Sequence, residues 1–370
     1  MKFSKLFLVA LVSTSFFVSC SPDDDTTKPV SYIPLGDYDS GVLVLNQGGF
    51  NHNDAAISYI SFDLNTLENT IFSLVNPTIT LGDVGQDIGL HNDLAYVVLN
   101  NTPKIQIVNR YTMANVGSIT SGLENPRYIA FANGKGYVTN WGDPTDTDDD
   151  FVAVIDLSTN TVTASIPVAE GPERIIENAG KLYVAQNGGY GYGTTITVIN
   201  PSTNTVETAI TVGDVPNGMQ IDNGSLWISC GGKPSFAPSE TAGKIVKVNL
   251  SDNTVAATFS FTDHTQHPSN MTVYGANAYF TIDSGIYKMA LNATVLPTTP
   301  AFSTTDQGVY GVYSLAIKNN HIYVGDAGNY IDNGKVHIYS LGELSGSSPL
   351  GTLEKSHTVG IIPAGFYFNQ

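Results

Sequence analysis

The chain has 370 residues, and 33 aspartates and glutamates outnumber 16 lysines and arginines, so its formal net charge at pH 7 is −17. Such a charge repels polyanions and argues against DNA or RNA as a partner. Only 13% of the residues are charged, whereas glycine alone contributes 36. This composition is typical of a turn-rich β protein rather than a helical one.

The N-terminal segment has the pattern of a lipoprotein export signal. Its apolar run, Leu6–Val18, is too short to span a bilayer as a stable helix, so residues 1–19 are predicted to be a signal peptide. A small residue precedes Cys20, which resembles a bacterial lipobox and predicts lipidation there. Residues 20–38 are expected to form a tether, and its acidic Asp23–Asp25 is similar to the surface-export signal of Bacteroidota lipoproteins. We therefore expect a lipid-anchored protein exposed at the surface of the outer membrane. The alternative is an ordinary signal peptide with an incidental cysteine.

Six segments of the chain repeat one plan. A strand is followed by a tight Asn/Gly turn and by a second strand with an aromatic residue near its start, then by a variable loop and two further strands. The aromatic positions are Tyr96, Tyr137, Tyr183, Trp227, Tyr279 and Tyr323. Their spacing of 41 to 52 residues is the period of four-stranded propeller blades.

A seventh unit opens the folded part but lacks its first strand. Gly41–Asn46 fits a second strand and Ile57–Leu64 a third, while Gly360–Phe368 fits the missing first strand. Closing the ring with strands from both termini removes exposed sheet edges. We therefore predict an all-β, seven-bladed β-propeller over residues 39–370, closed by N- and C-terminal strands in one blade. Six or eight blades are the alternative if the unit Asn270–Thr304 is misassigned.

Loop lengths predict which face of the ring binds. Turns between first and second strands are minimal, whereas the second-to-third-strand loops and the inter-blade segments, on the opposite face, vary and are rich in aromatic residues. Aromatic rings with amide and hydroxyl groups beside them suit a neutral ligand rich in such groups, or a protein partner. The alternative is that these loops are simply exposed turns. The candidate ligand-binding residues are Asn46, Gln47, Phe50, Gln86, Asn100, Arg127, Tyr128, Trp141, Asn187, Tyr190, Tyr192, Phe236, Tyr313, Asp326 and Tyr330.

Several motifs carry a family resemblance. They are Asn46-Gln47-Gly48-Gly49-Phe50, Leu81-Gly82-Asp83-Val84-Gly85-Gln86, Asn125-Pro126-Arg127-Tyr128-Ile129, Tyr323-Val324-Gly325-Asp326-Ala327 and Val359-Gly360-Ile361-Ile362-Pro363. These motifs resemble the BtuG-like lipoproteins, whereas Tyr137-Val138-Thr139-Asn140 resembles the YVTN repeat of surface propellers of Bacteroidota, of the YncE-like and DUF5074 types. The resemblance covers nearly all of the chain after the tether. It implies a propeller fold, a corrinoid such as cobalamin as ligand, and a TonB-dependent transporter of the outer membrane as partner. The family has Asn-Glu-Gly-Asn where this chain has Gln47 and Gly49.

Catalytic and metal-binding motifs are incomplete. His264 and His267 lack a third ligand at zinc spacing. The loop Asp143–Asp150 could gather oxygens around calcium but lacks the glycine and glutamate of an EF-hand. Some propellers are lyases or lactonases, for which His52 and His267 would be candidates, and Cys230 has no evident histidine partner. We expect no enzyme activity, no catalytic residue, no metal and no cofactor.

Two functions are consistent with these patterns. The first is a cell-surface lipoprotein that binds a ligand, a corrinoid by resemblance, and passes it to a TonB-dependent transporter. The second is an accessory subunit that contacts an outer-membrane β-barrel complex without a small ligand.

Overall fold

The computed structural model of the protein describes residues 34–370. The predicted signal peptide, Cys20 and the tether up to residue 33 therefore lie outside the described residues. The described chain forms seven four-stranded antiparallel sheets. The innermost strands contact one another in a closed ring, so the sheets are the blades of a propeller. The predicted all-β, seven-bladed fold is confirmed.

The strands follow one another blade by blade. Blade 1 contains β1 (Gly41–Asn46), β2 (Ala56–Ser61) and β3 (Leu67–Glu68), and is followed by the short helix α1 (Ile71–Val75). Blade 2 contains β4 (Gly85–His91), β5 (Leu94–Leu99), β6 (Lys104–Asn109) and β7 (Asn115–Ile119). Blade 3 contains β8 (Pro126–Ala132), β9 (Lys135–Asn140), β10 (Phe151–Asp156) and β11 (Thr161–Pro167). Blade 4 contains β12 (Pro172–Asn178), β13 (Lys181–Gln186), β14 (Thr195–Asn200) and β15 (Thr205–Thr211).

In the remaining blades the strands again follow in chain order from the central channel of the ring outwards. Blade 5 contains β16 (Pro216–Asp222), β17 (Ser225–Cys230), β18 (Lys244–Asn249) and β19 (Thr254–Ser260). Blade 6 contains β20 (Ser269–Tyr274), β21 (Asn277–Ile282), β22 (Gly285–Ala290) and β23 (Phe302–Ser303), and is followed by a 3-10 turn (Thr305–Gln307). Blade 7 contains β24 (Ser314–Lys318), β25 (His321–Asp326), β26 (Lys335–Ser340) and β27 (Leu353–Thr358). The last strand is β28 (Pro363–Asn369).

Blade 1 is closed by strands that are far apart in sequence. β28 pairs antiparallel with β1, from Gly41 opposite Asn369 to Asn46 opposite Pro363, and becomes the innermost strand of the blade. This confirms the predicted closure. The pairing begins at Pro363 rather than at Gly360, because the intervening segment crosses between blades and turns at Ile362, whose φ is 55°.

Neighbouring blades hold together through apolar packing between sheets. The second and third strands of a blade are covered on both faces, which is why β5 and β13 carry nearly continuous apolar runs. Within residues 34–370 there are seven buried apolar clusters, one at each junction between neighbouring blades. The outermost strands, such as β15, are largely exposed. The unit Asn270–Thr304 forms a complete blade 6, although its outermost strand has only two residues.

The repeated aromatic residue of the second strand lies at the contact between neighbouring blades. All six predicted aromatic side chains are at most 1% exposed. Three of the tyrosines bond an asparagine in the turn between third and fourth strands of the next blade: Tyr96 to Asn160, Tyr137 to Asn204 and Tyr183 to Asn253. These asparagines have φ values of 52° to 58°, a left-handed conformation that asparagine tolerates. The Asn-Thr turns of the repeat therefore serve both chain reversal and blade docking.

The propeller unit begins slightly before the expected end of the tether. The compact unit starts at Leu35, and Tyr38 is buried, with its N–H donating to the Tyr111 carbonyl over 2.9 Å. No helix in the described part of the chain is long and apolar enough to cross a membrane.

Candidate binding face

The two faces of the ring differ in their exposed side chains. The innermost strands start from inter-blade segments on one face, here called the loop face. In blades 2 to 7 they end in a tight turn on the other face, the tight-turn face, towards which β28 of blade 1 also runs. The loop face carries six large hydrophobic side chains that are between 56% and 85% exposed. They are Phe50, Tyr190, Phe236, Tyr310, Tyr330 and Ile331. Large apolar side chains exposed on one face commonly mark a binding surface.

The centre of the loop face is occupied by a partly buried ion pair. Arg127, at the start of β8, donates from Nε and Nη2 to the carboxylate of Glu173, at the start of β12, over 2.8 and 2.9 Å. The guanidinium also lies over the ring of Trp141, with 4.0 Å between Cζ and the ring centroid. Burial acts to lower the pKa of Arg127, but the charge of Glu173 outweighs it and the net direction is upward.

A second contact closes the opposite side of the channel. The Tyr313 hydroxyl donates to Gln47 Oε1 over 2.5 Å, joining blade 7 to blade 1. Its ring meets that of Tyr330 edge to face, with centroids 5.9 Å apart. Burial raises the pKa of Tyr313 to about 12. The hydroxyl is therefore a neutral donor throughout the physiological pH range.

Beneath these contacts lies a second layer of polar groups. The Asp87 carboxylate accepts from the Tyr367 hydroxyl over 2.9 Å and from the Ile129 N–H over 3.0 Å. The Arg174 guanidinium lies over the Tyr128 ring at 4.6 Å. Burial raises the pKa of both Asp87 and Tyr367. We call the two layers together the channel plug: Gln47, Arg127, Glu173 and Tyr313 above, and Asp87, Tyr128, Arg174 and Tyr367 below.

Most of the predicted binding residues lie on or at the centre of the loop face. Four of them, Phe50, Tyr190, Phe236 and Tyr330, are exposed there. Trp141 packs edge to face against Tyr190, with centroids 5.6 Å apart, and the Tyr192 ring lies 5.8 Å from Lys233 Nζ.

Other predicted binding residues have different roles in the structure. The prediction for Asn46 is corrected by the structure. Its side chain is fully buried, and its amide donates to Ser58 Oγ over 2.9 Å, because the residue still belongs to the β1–β2 ladder.

Three further predicted polar residues brace the loops, and a fourth lies beside the plug. The Asn100 amide donates to the Pro126 carbonyl over 3.3 Å, and the Asn187 and Asp326 side chains accept from the N–H two residues further on. Gln86 is partly buried at the start of β4, next to the plug residue Asp87.

The candidate residues do not include Glu173 and Arg174, which contact Arg127 and Tyr128. Glu173 and Arg174 follow Pro172 as Arg127 and Tyr128 follow Pro126, so the sequence already places both pairs in corresponding inter-blade segments near the axis of the ring.

The motifs considered for metals are arranged as follows. His264 and His267 both face Glu240, at 3.4 and 3.2 Å. Within residues 34–370, no group of three His, Cys, Asp or Glu side chains is placed to hold a metal ion. In the acidic loop, Asp150 is buried, and burial together with neighbouring carboxylates raises its pKa to about 7. Cys230 is also buried, which raises the pKa of its thiol to about 12.

Comparison with solved structures supports the fold. A functionally unknown protein from Desulfotomaculum acetoxidans superposes with a TM-score of 0.62 at 12% identity, covering 89% of this chain and 98% of that one. A quinonprotein alcohol dehydrogenase-like protein from Bacteroides thetaiotaomicron gives 0.61 at 13% identity, covering 90% and 79%. BamB from Moraxella catarrhalis gives 0.52 at 12% identity, covering 92% and 93%. At such identities the likeness is one of fold alone.

Sequence comparison places the chain in a family. No curated protein matches it significantly. The profile of DUF5074, a domain of unknown function, matches residues 40–343, most of the chain. The protein is therefore a member of the DUF5074 family.

Proposed function

We propose that the protein is a lipid-anchored, surface-exposed binding protein that captures a ligand on its loop face and passes it to a transporter of the outer membrane. The observation that carries the proposal is the set of six exposed hydrophobic side chains on this face. They surround a centre of hydroxyl, amide and charged groups that belong to the channel plug. The lipobox at Cys20 supports an anchor next to such a transporter.

The chemistry of the face favours a large and largely neutral ligand. The groups of the upper plug layer already bond one another, so a ligand on the loop face would gain most of its binding free energy by stacking on exposed rings such as those of Tyr190 and Phe236. The net charge of −17 disfavours polyanions. A corrinoid, with its broad macrocycle and peripheral amides, fits these requirements and agrees with the resemblance in the sequence.

Intrinsic fluorescence during a titration with cyanocobalamin tests this proposal. Of the two tryptophans, Trp227 is buried in blade 5 and Trp141 lies against Tyr190, so quenching reports mainly on the loop face. We expect saturable quenching that weakens at least tenfold in Tyr190→Ala and in Phe236→Ala, since each lost stacking contact costs about 1.5 kcal/mol.

Matched controls come from the rim of the same two blades. Val206→Ala and Val255→Ala remove exposed apolar side chains from the outer strands of blades 4 and 5 and should leave the affinity unchanged. A flat titration at micromolar protein contradicts capture of a corrinoid.

A second candidate function rests on the closed channel plug. Arg127, Glu173, Tyr313 and Gln47 bond one another, so the exposed aromatic rings of the loop face are the main groups left for binding, and aromatic residues are enriched in protein interfaces. The protein would then be an accessory subunit of an outer-membrane β-barrel complex. Pull-down of the anchored protein from solubilised membranes should recover the barrel without a small molecule, and Phe236→Ala should reduce the recovery while Val255→Ala should not.

A further inference from the structure

A cavity extends below the channel plug towards the tight-turn face. It has a volume of about 430 Å³ and follows β24 from Ser314 to Lys318 and β28 from Ala364 to Phe368. Because both innermost strands run from the loop face towards the tight-turn face, the cavity reaches the tight-turn face of the ring. No residue of the upper plug layer lines it. Its volume is within the range of small-molecule sites, roughly 300–1,000 Å³.

Arg174 faces this cavity without a full set of partners. Its Nε donates to the Asn217 carbonyl over 3.1 Å, and its guanidinium lies over the Tyr128 ring. In the described chain, no carboxylate oxygen lies within 4.0 Å of the guanidinium and no acceptor is bound to either Nη atom. A guanidinium without an acceptor in a confined space is costly unless water or an anion meets its N–H groups.

Other donors converge on the same space. The Tyr128 hydroxyl lines the cavity and makes no hydrogen bond with residues 34–370. Lys318 lines its outer end, where Nζ lies 5.9 Å from the Phe368 ring and, within the described chain, more than 4.0 Å from any carboxylate. The Gln220 amide is a further polar group of the wall. The donors therefore span the cavity from the plug to its mouth.

The charge of the lining is positive in an otherwise acidic protein. Asp87 is the one carboxylate among the lining residues, and both of its oxygens already accept hydrogen bonds, from the Tyr367 hydroxyl and the Ile129 N–H. Arg174 and Lys318 contribute two cations against it. A planar guanidinium with free Nη groups is the side chain best suited to carboxylate or phosphate oxygens.

We infer that the central channel is a second binding site, open to the tight-turn face, for a small molecule carrying a carboxylate or phosphate group. The anionic group binds Arg174 and the Tyr128 hydroxyl, and Lys318 attracts it at the mouth. The site is separate from the loop face, because the upper plug layer, with its Arg127–Glu173 pair, lies between the two. A ligand can therefore occupy it whether or not the loop face is occupied.

Calorimetric titration of the purified full chain tests this inference with two probes, inorganic phosphate and succinate, against sodium chloride at matched ionic strength. We expect saturable binding of at least one probe, and the probe that binds tells phosphate from carboxylate. Arg174→Met should weaken it at least tenfold and Lys318→Met about threefold. Lys335→Met removes an exposed cation of β26 outside the cavity and should change nothing.

Two further measurements keep the result interpretable. Arg174→Lys retains the charge without the planar fork, so binding should be partly restored if Arg174→Met has lost it. Circular dichroism and thermal unfolding establish that each variant is folded. Absence of saturable binding by both probes overturns the inference. So does binding that is equal in the wild type, Arg174→Met and Arg174→Lys.

Discussion

Two arginines at the start of neighbouring innermost strands have opposite environments. Arg127 has a carboxylate partner in two hydrogen bonds and an indole ring beneath it. Arg174 has one carbonyl partner and a phenol ring, and faces a cavity. The upper plug layer is therefore a self-contained structural unit, whereas the lower layer has hydrogen-bond donors that no acceptor of the described chain occupies. Substitutions that remove paired groups should therefore cost far more stability than those that remove unpaired ones.

The largest effect is expected from breaking the upper pair. Glu173→Gln leaves the partly buried Arg127 without a counter-charge, and we expect the free energy of unfolding to fall by about 3 kcal/mol in urea denaturation. Glu207→Gln is the matched control, because its ion pair with Lys181 is exposed to solvent and should contribute little to the free energy of unfolding. A loss at position 173 as small as that of the control would contradict the structural role of the pair.

The blade tyrosines offer the same contrast in a neutral group. Tyr137 donates to the Pro201 carbonyl over 2.9 Å, whereas the buried Tyr323 hydroxyl has no partner within residues 34–370. Tyr137→Phe should lower the free energy of unfolding by about 1.5 kcal/mol, and Tyr323→Phe should leave it unchanged or raise it. Equal losses in urea denaturation would mean that the bond between blades 3 and 4 contributes little.

Asp150 is a buried carboxylate whose hydrogen bonding is incomplete, so it tests the same difference between paired and unpaired groups. Its Oδ1 is buried without a partner in the described chain, and burial raises its pKa from 3.8 to about 7. The folded state binds the Asp150 proton more tightly than the unfolded state does. The contribution of this group to the free energy of unfolding is therefore fully present below pH 4 and is lost as the pH rises through 7. Asp150→Asn should raise the free energy of unfolding at pH 8 by about 1 kcal/mol and flatten its pH dependence between pH 5 and 8.

The same loop provides the control for this measurement. Asp148 is exposed, so Asp148→Asn should leave the pH dependence of unfolding as in the wild type. A pH profile that Asp150→Asn does not alter would show that the Asp150 carboxyl titrates alike in the folded and unfolded chains.

The smallest effect is expected from the unpaired arginine. Arg174→Met removes a charge that no carboxylate compensates at short range, so its unfolding free energy without added anions should stay within about 0.5 kcal/mol of the wild type. Arg127→Met is the comparison, because it strands Glu173 and should lose several times more. Similar losses in both variants, measured by urea denaturation, would remove the distinction between the two layers.

The fold was largely predictable because its determinants are local and periodic. Blades 2 to 7 repeat a buried aromatic residue at the same strand position, and their tight turns contain Asn or Gly residues. The closing strand could be identified because Gly360–Phe368 repeats the pattern of a first strand. Its start at Pro363 could not, since the pairing of β28 with β1 is set by the path of the inter-blade segment.

The arrangement of the candidate binding face was predictable in part. Exposed rings such as Phe50 and Phe236 follow from their positions in long loops, which need no knowledge of distant residues. The plug depends on contacts between blades, Arg127 with Glu173 and Tyr313 with Gln47, which one blade's sequence does not specify. Asn46 was misplaced because loop and ladder meet at that residue, and its amide turns inwards.

The pairing of β28 with β1 makes the order of synthesis important for folding. Blade 1 contains the earliest strands of the ring, yet it lacks its innermost strand until residues 363–369 have emerged. Until then the inner edge of β1 offers free N–H and C=O groups to other chains. The last pairing is also the most non-local one, which slows ring closure. Conditions that delay it should expose newly made chains to aggregation more than they affect finished molecules.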